Sequence, residues 1–437
     1  MPEAAAETAE IVDTTLDGRG IARGECKTAF VMGALTGETV RFRRRRKRRN
    51  YDEAELLDVL EPSRDRVEPR CPVAGICGGC SLQHLSAGAQ LRLKQATLVD
   101  NLDQLGGVRA GRILEPVTGP VWGYRRKARL AVKDVPKKGR VLVGFREQGK
   151  PYVTDTQSCA TLHPSVGERL GDLSELIGGL SIRARLPQIE VAVGDDATVL
   201  VFRVLEPPTE ADLRRLHDFG RTTGLRIFLQ TGGPDSIAAL PGETDDSLLG
   251  YRLPAFDLEL AFRPTDFVQV NAGINKRMLE LALELLAPTP NSRVLDLFCG
   301  LGNFSLPLAR RCEQVLGVEG DAEMVARATG NADRAGIRNA RFAAANLADA
   351  QALDEWSDER FDRILVDPPR SGAAAILPAI VAYAPARLVY VSCHPGTLAR
   401  DAGQLVNEFG YRLAAAGIMD MFPQTSHVES IALFERD

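Results

Sequence analysis

Short clusters of hydrophobic residues alternate with polar residues and glycines over the first 62 positions of the chain. The clusters are TTLDGRGIARG, KTAFVMGAL, GETVRFRRRRKRR and AELLDVLEP. A two-residue alternation that is broken by glycines is typical of short β-strands. We therefore predict a small β-barrel of the OB type over residues 8–62, preceded by a disordered segment over residues 1–7.

The middle of the chain combines one helical pattern with a long β-rich region. Leucine and alanine recur at helical spacing over residues 87–104, which predicts a helix there. The pattern over about 124–262 is that of strands, and the segments RLAVKDV and RVLVGF predict a hairpin that turns at 136–139. We assign residues 63–262 to a central domain, whose helix is a candidate for packing on the domain that follows.

Strands and helices alternate from about residue 263 to the end of the chain. The predicted strands are RVLDLF, QVLGVE, ARFAAA, RILVDPP and RLVYVS. Such an alternation predicts a parallel, doubly wound sheet. The predicted fold class is therefore a multidomain α/β protein: a β-barrel, a β-rich central domain and a Rossmann-like C-terminal domain over 263–437.

Composition places the chain among globular proteins. Hydrophobic residues make up 44% of the 437 residues and charged residues 26%, which excludes wholesale disorder. No apolar run approaches the roughly 18 residues that span a bilayer. The acidic N-terminal sequence lacks the basic and apolar regions of a secretory signal. We therefore expect a cytoplasmic, monomeric protein without a membrane partner.

The formal net charge of −4 conceals two basic segments. Residues 41–49 (RFRRRRKRR) contain eight cations and no anion, and residues 109–150 contain twelve cations against three acids. Local phosphate contacts, rather than net charge, drive the counterion release that binds nucleic acids. A solvated loop is the alternative interpretation of residues 41–49, but their position in a predicted strand favours contact with RNA.

Three cysteines in CPVAGICGGC have the spacing C-x5-C-x2-C, at Cys71, Cys77 and Cys80, and Cys159 is a remote fourth thiol. Four thiolates can bind either a [4Fe–4S] cluster or structural zinc. A zinc ribbon usually pairs two C-x2-C hairpins, and this chain has one, so the spacing favours the iron–sulfur cluster. Buried thiols without a metal are the third alternative.

The segment VLDLFCGLGN predicts a strand, a glycine turn and the start of a helix, an arrangement that binds nucleotides at the carboxyl edge of a parallel sheet. Glu319 ends the next strand, 23 residues after Asp296, as is usual for an acid that binds ribose hydroxyls. The turn lacks the third glycine of a dinucleotide fingerprint and is preceded by an Asp, which favours S-adenosylmethionine over NAD. Asn346 follows the third strand, where an adenine contact is expected.

Three reactive side chains follow later strands of the same predicted sheet. Asp367 ends the fourth strand before two prolines, Cys393 follows the fifth, and Glu429 lies on an alternating strand near the C-terminus. Taken alone, Cys393 is either a buried thiol or a nucleophile, and Glu429 is either a rim residue or a general base.

A methyl donor, a thiol and a carboxylate together meet the needs of one reaction, the methylation of uracil at C5. Addition of a thiol at C6 turns C5 into a nucleophile that can attack the methyl group. A base must then remove the C5 proton so that elimination frees the thiol. The target base also has to leave its stack to reach the site.

Seven motifs carry a resemblance to a known family: CPVAGICGGC, WGYRRKARL, DFVQVN, LDLFCGLGNFSLPLA, DPPRSG, YVSCHPGTLARD and DMFPQTSHVES. Over nearly its whole length the chain resembles the RNA uracil-C5 methyltransferases. The resemblance is to the 23S rRNA (uracil-5-)-methyltransferase branch, which has an iron–sulfur cluster and an N-terminal TRAM domain.

The resemblance implies a role for each motif. Cys393 would be the nucleophile and Glu429 the base that abstracts the proton. Phe267, Gln269 and Asp367 would bind the target uracil. The [4Fe–4S] ligands would be Cys71, Cys77, Cys80 and Cys159, and S-adenosylmethionine would be bound by Gln269, Phe298, Asn303, Glu319, Asn346 and Asp367. The implied partner is 23S rRNA with its target uridine flipped out of a loop or single strand.

His394 departs from the family pattern, because the family usually has Asn after the nucleophilic cysteine. The exchange changes the hydrogen bonding available behind Cys393, and an influence of His394 on the thiolate is a hypothesis. Methylation of a tRNA uridine is the alternative within the same enzyme class. A non-catalytic RNA-binding or ribosome assembly factor that has kept the fold is the alternative outside it.

Overall fold

The computed structural model describes residues 5–23, 27–244 and 246–436. Five strands form a closed N-terminal barrel, as predicted. Its first strand begins at Ala6, so the prediction of a disordered segment over residues 1–7 is wrong for its last two residues, while residues 1–4 lie outside the described residues. The strands are β1 (Ala6–Thr14), β2 (Arg19–Ala22), β3 (Ala29–Met32), β4 (Thr39–Lys47) and β5 (Asp52–Glu61).

The barrel has a small core of aliphatic side chains and one phenylalanine. In β4, Val40 and Phe42 are buried while Arg41 between them is exposed, which is the alternation expected of a strand with one wet face. Irregular register between β4 and β5 interrupts the pairing at three places. Such bulges increase the local twist that a small closed sheet requires.

The predicted helix α1 (Ala87–Gln104) begins where the Ser86 side chain caps the amide of Ala89. Its Leu98 and Leu102 are buried in the same core as Leu398 and Ala402 of the C-terminal domain. The short strand β6 (Arg112–Ile113) then pairs with the last sheet of the protein. Residues 87–113 therefore pack on the C-terminal domain, as expected for this helix, although they precede that domain in the chain.

The central domain is a six-stranded sheet that is covered on one face by helices. The predicted hairpin is present, and it turns through 136–138 with Gly139 in the left-handed conformation. The elements are β7 (Lys127–Val135), β8 (Arg140–Gly144), α2 (Pro164–Gly167), α3 (Leu170–Gly178), β9 (Gln188–Val193), β10 (Thr198–Arg203), α4 (Glu210–Thr223), β11 (Arg226–Gln230) and β12 (Ile237–Ala239).

A separate hairpin, β13 (Leu249–Leu253) and β14 (Leu258–Phe262), connects the central and C-terminal domains. The side chain of Asn331 accepts a hydrogen bond from Ala261 N at 2.9 Å and donates one to Leu301 O at 3.0 Å. The hairpin also shares the large core of the C-terminal sheet. Because that core also contains Ala192, Val199 and Phe228 of the central sheet, the hairpin packs against both domains, and the boundary at residue 262 stays a prediction.

The C-terminal domain is built on the predicted doubly wound sheet, which the structure confirms. The strands run in the order β17-β16-β15-β18-β19-β21-β20-β6, with parallel pairing through β19 and an antiparallel β21. The elements are α5 (Ala272–Leu286), β15 (Arg293–Leu297), α6 (Ser305–Ala309), β16 (Gln314–Glu319), α7 (Ala322–Arg334), β17 (Ala340–Ala344), β18 (Arg363–Val366), α8 (Leu377–Ala382), β19 (Arg387–Ser392), α9 (Pro395–Asn407), β20 (Arg412–Met419) and β21 (Glu429–Glu435). In the part of the chain that the structure describes, no helix combines the length and the apolar character that a membrane crossing requires.

Candidate active site

The carboxyl ends of the parallel strands meet at one edge of the C-terminal sheet. The chain order reverses between β15 and its neighbour β18, which creates the crevice where open α/β sheets bind ligands. A cavity of about 1680 Å³ opens there. It is lined by most of the predicted site residues: Phe267, Gln269, Phe298, Asn303, Glu319, Asp367, Cys393 and Glu429.

The turn after β15 has an unusual backbone that brings main-chain groups into the cavity. Phe298, Gly300 and Gly302 all have positive φ, at 64°, 56° and 91°. This conformation is easy for glycine but strained for Phe298, and such strain is typical of functional turns. The Gly300 amide points at the β16 end, where it donates to Glu319 Oε2 at 3.1 Å.

Glu319 and Asn303 frame the same part of the cavity. The other carboxylate oxygen of Glu319 accepts a hydrogen bond from Gly320 N at 2.7 Å. Asn303 Oδ1 accepts hydrogen bonds from Tyr251 Oη at 2.8 Å and from Asn275 Nδ2 at 3.1 Å. The acid is therefore held by backbone amides at the end of β16, where the sequence predicts contact with ribose hydroxyls.

The thiol and the proposed base lie on neighbouring antiparallel strands. The register pairs Ser392 of β19 with Ser430 of β21. Cys393 directly follows the one and Glu429 directly precedes the other, so both side chains arise at the same end of the strand pair. Glu429 is 4% exposed, and Cys393 is half-buried at the cavity wall. The fold thereby brings together two residues that are 36 positions apart in the sequence.

Burial and mutual repulsion govern the ionisation of these groups. Burial raises the pKa of Glu429 to about 8, and the charge of Asp367 adds to that rise. Burial also raises the pKa of Asp367 to about 7, with a contribution from Glu319. The pKa of the Cys393 thiol is raised by burial and by the carboxylates of Glu429 and Asp367, while Arg370 opposes the shift. The carboxyl of Glu429 therefore titrates near neutral pH, as a general base should.

Three residues at the rim of this cavity were not predicted from the sequence. Arg370 follows the two prolines after β18, and its charge offsets part of the rise in the pKa of both Cys393 and Glu429. Phe422 and His427 lie in the loop before β21, with ring centroids 4.8 Å apart. Arg370, Phe422 and His427 all lie within the quoted motifs DPPRSG and DMFPQTSHVES, so the motifs contain them although no spacing rule singles them out.

Phe267 is 70% exposed although it is a large aromatic residue, and it stands at the mouth of the cavity. From there the cavity continues over one face of the central sheet, lined by Arg129, Gln188, Glu190, Arg203 and Gln230. An exposed aromatic ring beside a polar, partly cationic groove is suited to stacking on a nucleic-acid base.

The adenine contact of Asn346 stays a prediction, and His394 has a structural role at the start of α9. Asn346 is exposed and is absent from the cavity lining, and its Oδ1 accepts a hydrogen bond from Ala348 N at 3.2 Å in its own turn. His394 caps α9, because its Nδ1 accepts a hydrogen bond from Thr397 N at 3.2 Å. Asn is a preferred N-cap, so His394 performs the same structural task.

The four predicted cysteine ligands lie close together beside the central sheet. Burial raises the pKa of the Cys80 thiol to about 11, and the neighbouring Cys77 and Cys159 contribute. Burial likewise raises the pKa of Cys77, to which Cys159 and Cys71 add. Across residues 5–23, 27–244 and 246–436, however, no group of three or more His, Cys, Asp or Glu side chains has an arrangement that could hold a metal ion.

Opposite charges compensate much of the first basic segment. Arg41, Arg45 and Arg48 on and after β4 pair with Asp58, Glu55 and Glu53 of the neighbouring strand. Arg44 is largely buried and bridges Glu7 and Asp52. Arg46, Lys47 and Arg49 are exposed. The segment is thus partly a structural element of the barrel and partly a cationic surface.

Comparison with known proteins gives consistent matches. The tRNA (uracil-5-)-methyltransferase family matches residues 247–437. The 23S rRNA (uracil(1939)-C(5))-methyltransferase RlmD of Alkalilimnicola ehrlichii is 54% identical over 99% of this chain and 97% of its own length. RlmD of Stenotrophomonas maltophilia strain R551-3 is 50% identical over 98% of this chain and 96% of its own.

A solved structure shares the fold over nearly the whole chain. The tRNA (uracil-54, C5)-methyltransferase of Pyrococcus abyssi, in complex with S-adenosyl-L-homocysteine, has a TM-score of 0.76 and covers 98% of this chain and 100% of its own. At 23% identity it supports the fold alone.

The fold and the site together are those of an S-adenosylmethionine-dependent RNA uracil-C5 methyltransferase. With full-length relatives at 50% identity and above, the chain belongs to the 23S rRNA (uracil-C5)-methyltransferase family.

Proposed function

We propose that the protein transfers a methyl group from S-adenosylmethionine to C5 of a uridine in 23S rRNA, through a covalent adduct with Cys393. The observation that carries this proposal is the meeting of Cys393 and Glu429 at adjoining strand ends within one cavity, which also contains the glycine turn and Glu319. The substrate class is taken from the relatives that share most of the chain.

The chemistry follows from these positions. Bound S-adenosylmethionine supplies an electrophilic methyl group. Cys393 Sγ, as the thiolate, forms a bond to C6 of the flipped uracil, and the displaced electron pair makes C5 the nucleophile that takes the methyl group, which leaves S-adenosylhomocysteine. Glu429 then accepts the C5 proton, the Cys393 Sγ–C6 bond breaks, and the C5–C6 double bond is restored. A carboxyl group with a pKa of about 8 is a stronger base than an ordinary carboxylate.

The binding residues divide between cofactor and base. We propose that Glu319 holds the ribose and that Phe298 and Asn303 complete the cofactor side. Gln269 and Asp367 lie where cofactor and uracil meet, and Phe267 contacts the RNA beside the target base. The barrel would serve as the RNA-binding TRAM domain.

We also propose that Cys71, Cys77, Cys80 and Cys159 bind a [4Fe–4S] cluster. Their four thiols fit its donor chemistry. Gly79 leaves little room for a side chain, since a Cβ there would lie 3.0 Å from the Phe145 ring and 3.4 Å from Cys77 Sγ. None of the reaction steps is a redox step, so the cluster would stabilise this loop. Iron, sulfide and visible absorbance in anaerobically purified protein would support the cluster, while bound zinc would contradict it.

The decisive experiment incubates the protein with S-adenosylmethionine and 5-fluorouridine-containing RNA. Fluorine cannot leave as a cation, so the adduct with Cys393 should persist on a denaturing gel. Fragments of 23S rRNA and a tRNA are compared to identify the substrate. The absence of an adduct with every RNA, or an adduct that survives Cys393→Ala, would contradict the proposal, and trapping on tRNA alone would reassign the substrate.

A further inference from the structure

The loop between β20 and β21, residues 420–428, forms one wall of the cavity. Phe422 and His427 of this loop line the cavity, and Glu429 follows it directly. The position of this loop therefore determines how the aromatic wall and the proposed base face a bound uracil. The loop is held by residues that lie outside the β15–β21 region.

Lys94 of α1 anchors the beginning of the loop. Its ammonium donates to Asp420 Oδ1 at 2.7 Å and to Phe422 O at 3.0 Å. Lys94 is 1% exposed and Asp420 5% exposed, so the pair is shielded from water. A buried ion pair of this kind is often retained because it specifies a conformation, whatever its net contribution to stability.

Gln424 is the central anchor of the loop, and its φ is +69°. Its carbonyl accepts hydrogen bonds from Ser81 N and Leu82 N, each at 3.0 Å. Its amide N–H donates to Gln90 Oε1 at 2.9 Å, and its side-chain oxygen accepts from Gln90 Nε2 at 2.9 Å. A residue with a side chain keeps a left-handed backbone when its surroundings hold it there.

These contacts connect two distant parts of the molecule. Ser81 and Leu82 directly follow Cys80, the last cysteine of the CPVAGICGGC segment. Gln90 Nε2 also lies within hydrogen-bonding distance of Leu82 O at 3.0 Å and Leu85 O at 2.8 Å, so its two N–H groups are shared among three acceptors. One buried amide thus connects the catalytic loop (residues 420–428) with the residues that follow the cysteine segment. Tyr124 Oη adds a further hydrogen bond to Pro423 O at 2.8 Å.

We propose that Gln90 and Lys94 are positioning residues for methyl transfer. By fixing residues 420–428 they hold Phe422 and Glu429 toward the target base, and through Gln90 the geometry of the cysteine segment is transmitted to the catalytic loop. The inference rests on the proposed function, because the loop matters only if Glu429 acts on a uracil in this cavity.

The test compares Gln90→Ala with Gln95→Ala. Gln95 lies on the same helix and donates to Leu114 O at 3.2 Å, away from the catalytic loop. The isosteric variant Gln90→Glu, which loses the amide donor but keeps the acceptor for Gln424 N, is measured in parallel in case Gln90→Ala does not fold. The readouts are hydrogen exchange in residues 420–428, the affinity for S-adenosylmethionine, and single-turnover methylation of the RNA that traps the wild type.

We expect faster hydrogen exchange in residues 420–428 for both Gln90 variants. Single-turnover methylation should fall by about tenfold or more for Gln90→Ala, since small misplacements of catalytic groups have such effects. The affinity for S-adenosylmethionine should stay within about twofold, because the loop does not contribute to that side. Gln95→Ala should change none of the three.

Two outcomes would overturn the inference: unchanged exchange and turnover in folded Gln90 variants, or equal losses in Gln95→Ala. A wild-type protein that traps no RNA would instead overturn the proposed function. The exchange measurement on the same variants would still report whether Gln90 holds the loop, so the two failures are distinguishable.

Discussion

Buried carboxylates occur in the barrel and in the crevice, and the two regions treat them differently. In the barrel, Glu38 is fully buried, and its oxygens accept hydrogen bonds from Leu35 N, Ser63 N and the Arg66 guanidinium. The pKa of Glu38 is lowered from its ordinary value, although burial alone would raise it, because these donors and the charge of Arg66 favour the carboxylate. Both carboxylate oxygens of Glu38 thus have donors that compensate for the burial of its charge.

In the crevice, by contrast, several acidic side chains lie close to one another. Asp296 is fully buried, its Oδ2 accepts a hydrogen bond from Ser305 Oγ, and its Oδ1 has no hydrogen-bond partner among the residues that the structure describes. Burial raises the pKa of Asp296 to about 7, with contributions from Asp367 and Glu319. Asp367 and Glu429 are shifted in the same direction.

At the crevice, the C-terminal sheet gives up stability in exchange for basic carboxylates. A compensated carboxylate such as Glu38 stabilises the fold but is too weak a base for catalysis at neutral pH. A carboxyl group whose charge is opposed by its surroundings becomes a stronger base, and the folded state bears the free-energy cost of keeping it there. Replacing a carboxylate of each kind by an amide should therefore have opposite effects on the stability of the folded protein.

The largest expected effect is that of Glu429→Gln on turnover. Gln cannot accept the C5 proton, so multiple-turnover methylation should fall by roughly 10²–10⁴-fold, the usual contribution of a general base. Adduct formation and methyl transfer precede this step, so a covalent complex with ordinary uridine RNA should accumulate on a denaturing gel. The control is Glu435→Gln at the far end of the same strand, where Glu435 pairs with Arg387. A variant that turns over normally would exclude Glu429 as the base.

The next largest effect is that of Glu38→Gln on stability. The substitution removes a charged acceptor from Arg66 and two amides, so the free energy of unfolding at pH 7 should fall by about 1.5–3 kcal/mol. Because the pKa of Glu38 is lowered in the folded state, the difference in the free energy of unfolding between wild type and variant should have its full size above about pH 5. It should disappear as the pH falls through the folded pKa. Denaturant titrations at several pH values measure it.

Glu61→Gln is the matched control for that experiment. Glu61 is an exposed carboxylate in the same barrel and accepts one hydrogen bond from Thr39 Oγ1 at 2.9 Å. Its substitution should change the free energy of unfolding by less than about 0.5 kcal/mol. Equal losses in the two variants would mean that burial and pairing do not distinguish Glu38.

The third prediction concerns Glu429→Gln and has the opposite pH dependence. The folded pKa of about 8 lies above the unfolded one, so the wild type loses stability relative to the unfolded chain as pH rises from about 4.5 toward 8. The Gln variant lacks this loss. Its melting temperature should therefore match the wild type near pH 5 and exceed it by a few degrees at pH 8. A constant difference across this range would contradict the raised pKa.

Much of the crevice could be predicted from the sequence, because strand ends and motifs are local features of the chain. The glycine turn, Glu319, Asp367 and Cys393 all follow predicted strands, and the parallel alternation places those ends at one edge. The helix over residues 87–104 follows from spacing alone.

Contacts between distant segments could not be predicted in this way. Lys94 and Asp420 are 326 positions apart, and their pairing requires α1 to pack on the C-terminal domain. The acids that pair with the basic segment could not be predicted either, since the irregular β4–β5 register determines which of them face it. The adenine contact of Asn346 stays a prediction, because its position after a strand does not decide whether its side chain turns toward the cavity or into its own turn.

The smallest expected effect distinguishes the exposed cations of the barrel from those that are paired with acids. Substituting Arg46, Lys47 and Arg49 together by Gln should weaken RNA binding a few-fold and flatten the dependence of log Kd on log salt, by up to roughly 0.7–0.9 per lost phosphate contact. Arg44 is unsuitable for this purpose, because its removal leaves Glu7 and Asp52 without their shared cation and perturbs the barrel itself. Arg41→Gln is the control: this cation pairs with Asp58, and we expect its removal to leave the slope almost unchanged. An unaltered slope in the triple variant, measured by fluorescence anisotropy over a salt series, would show that the exposed end of β4 does not contact RNA phosphates.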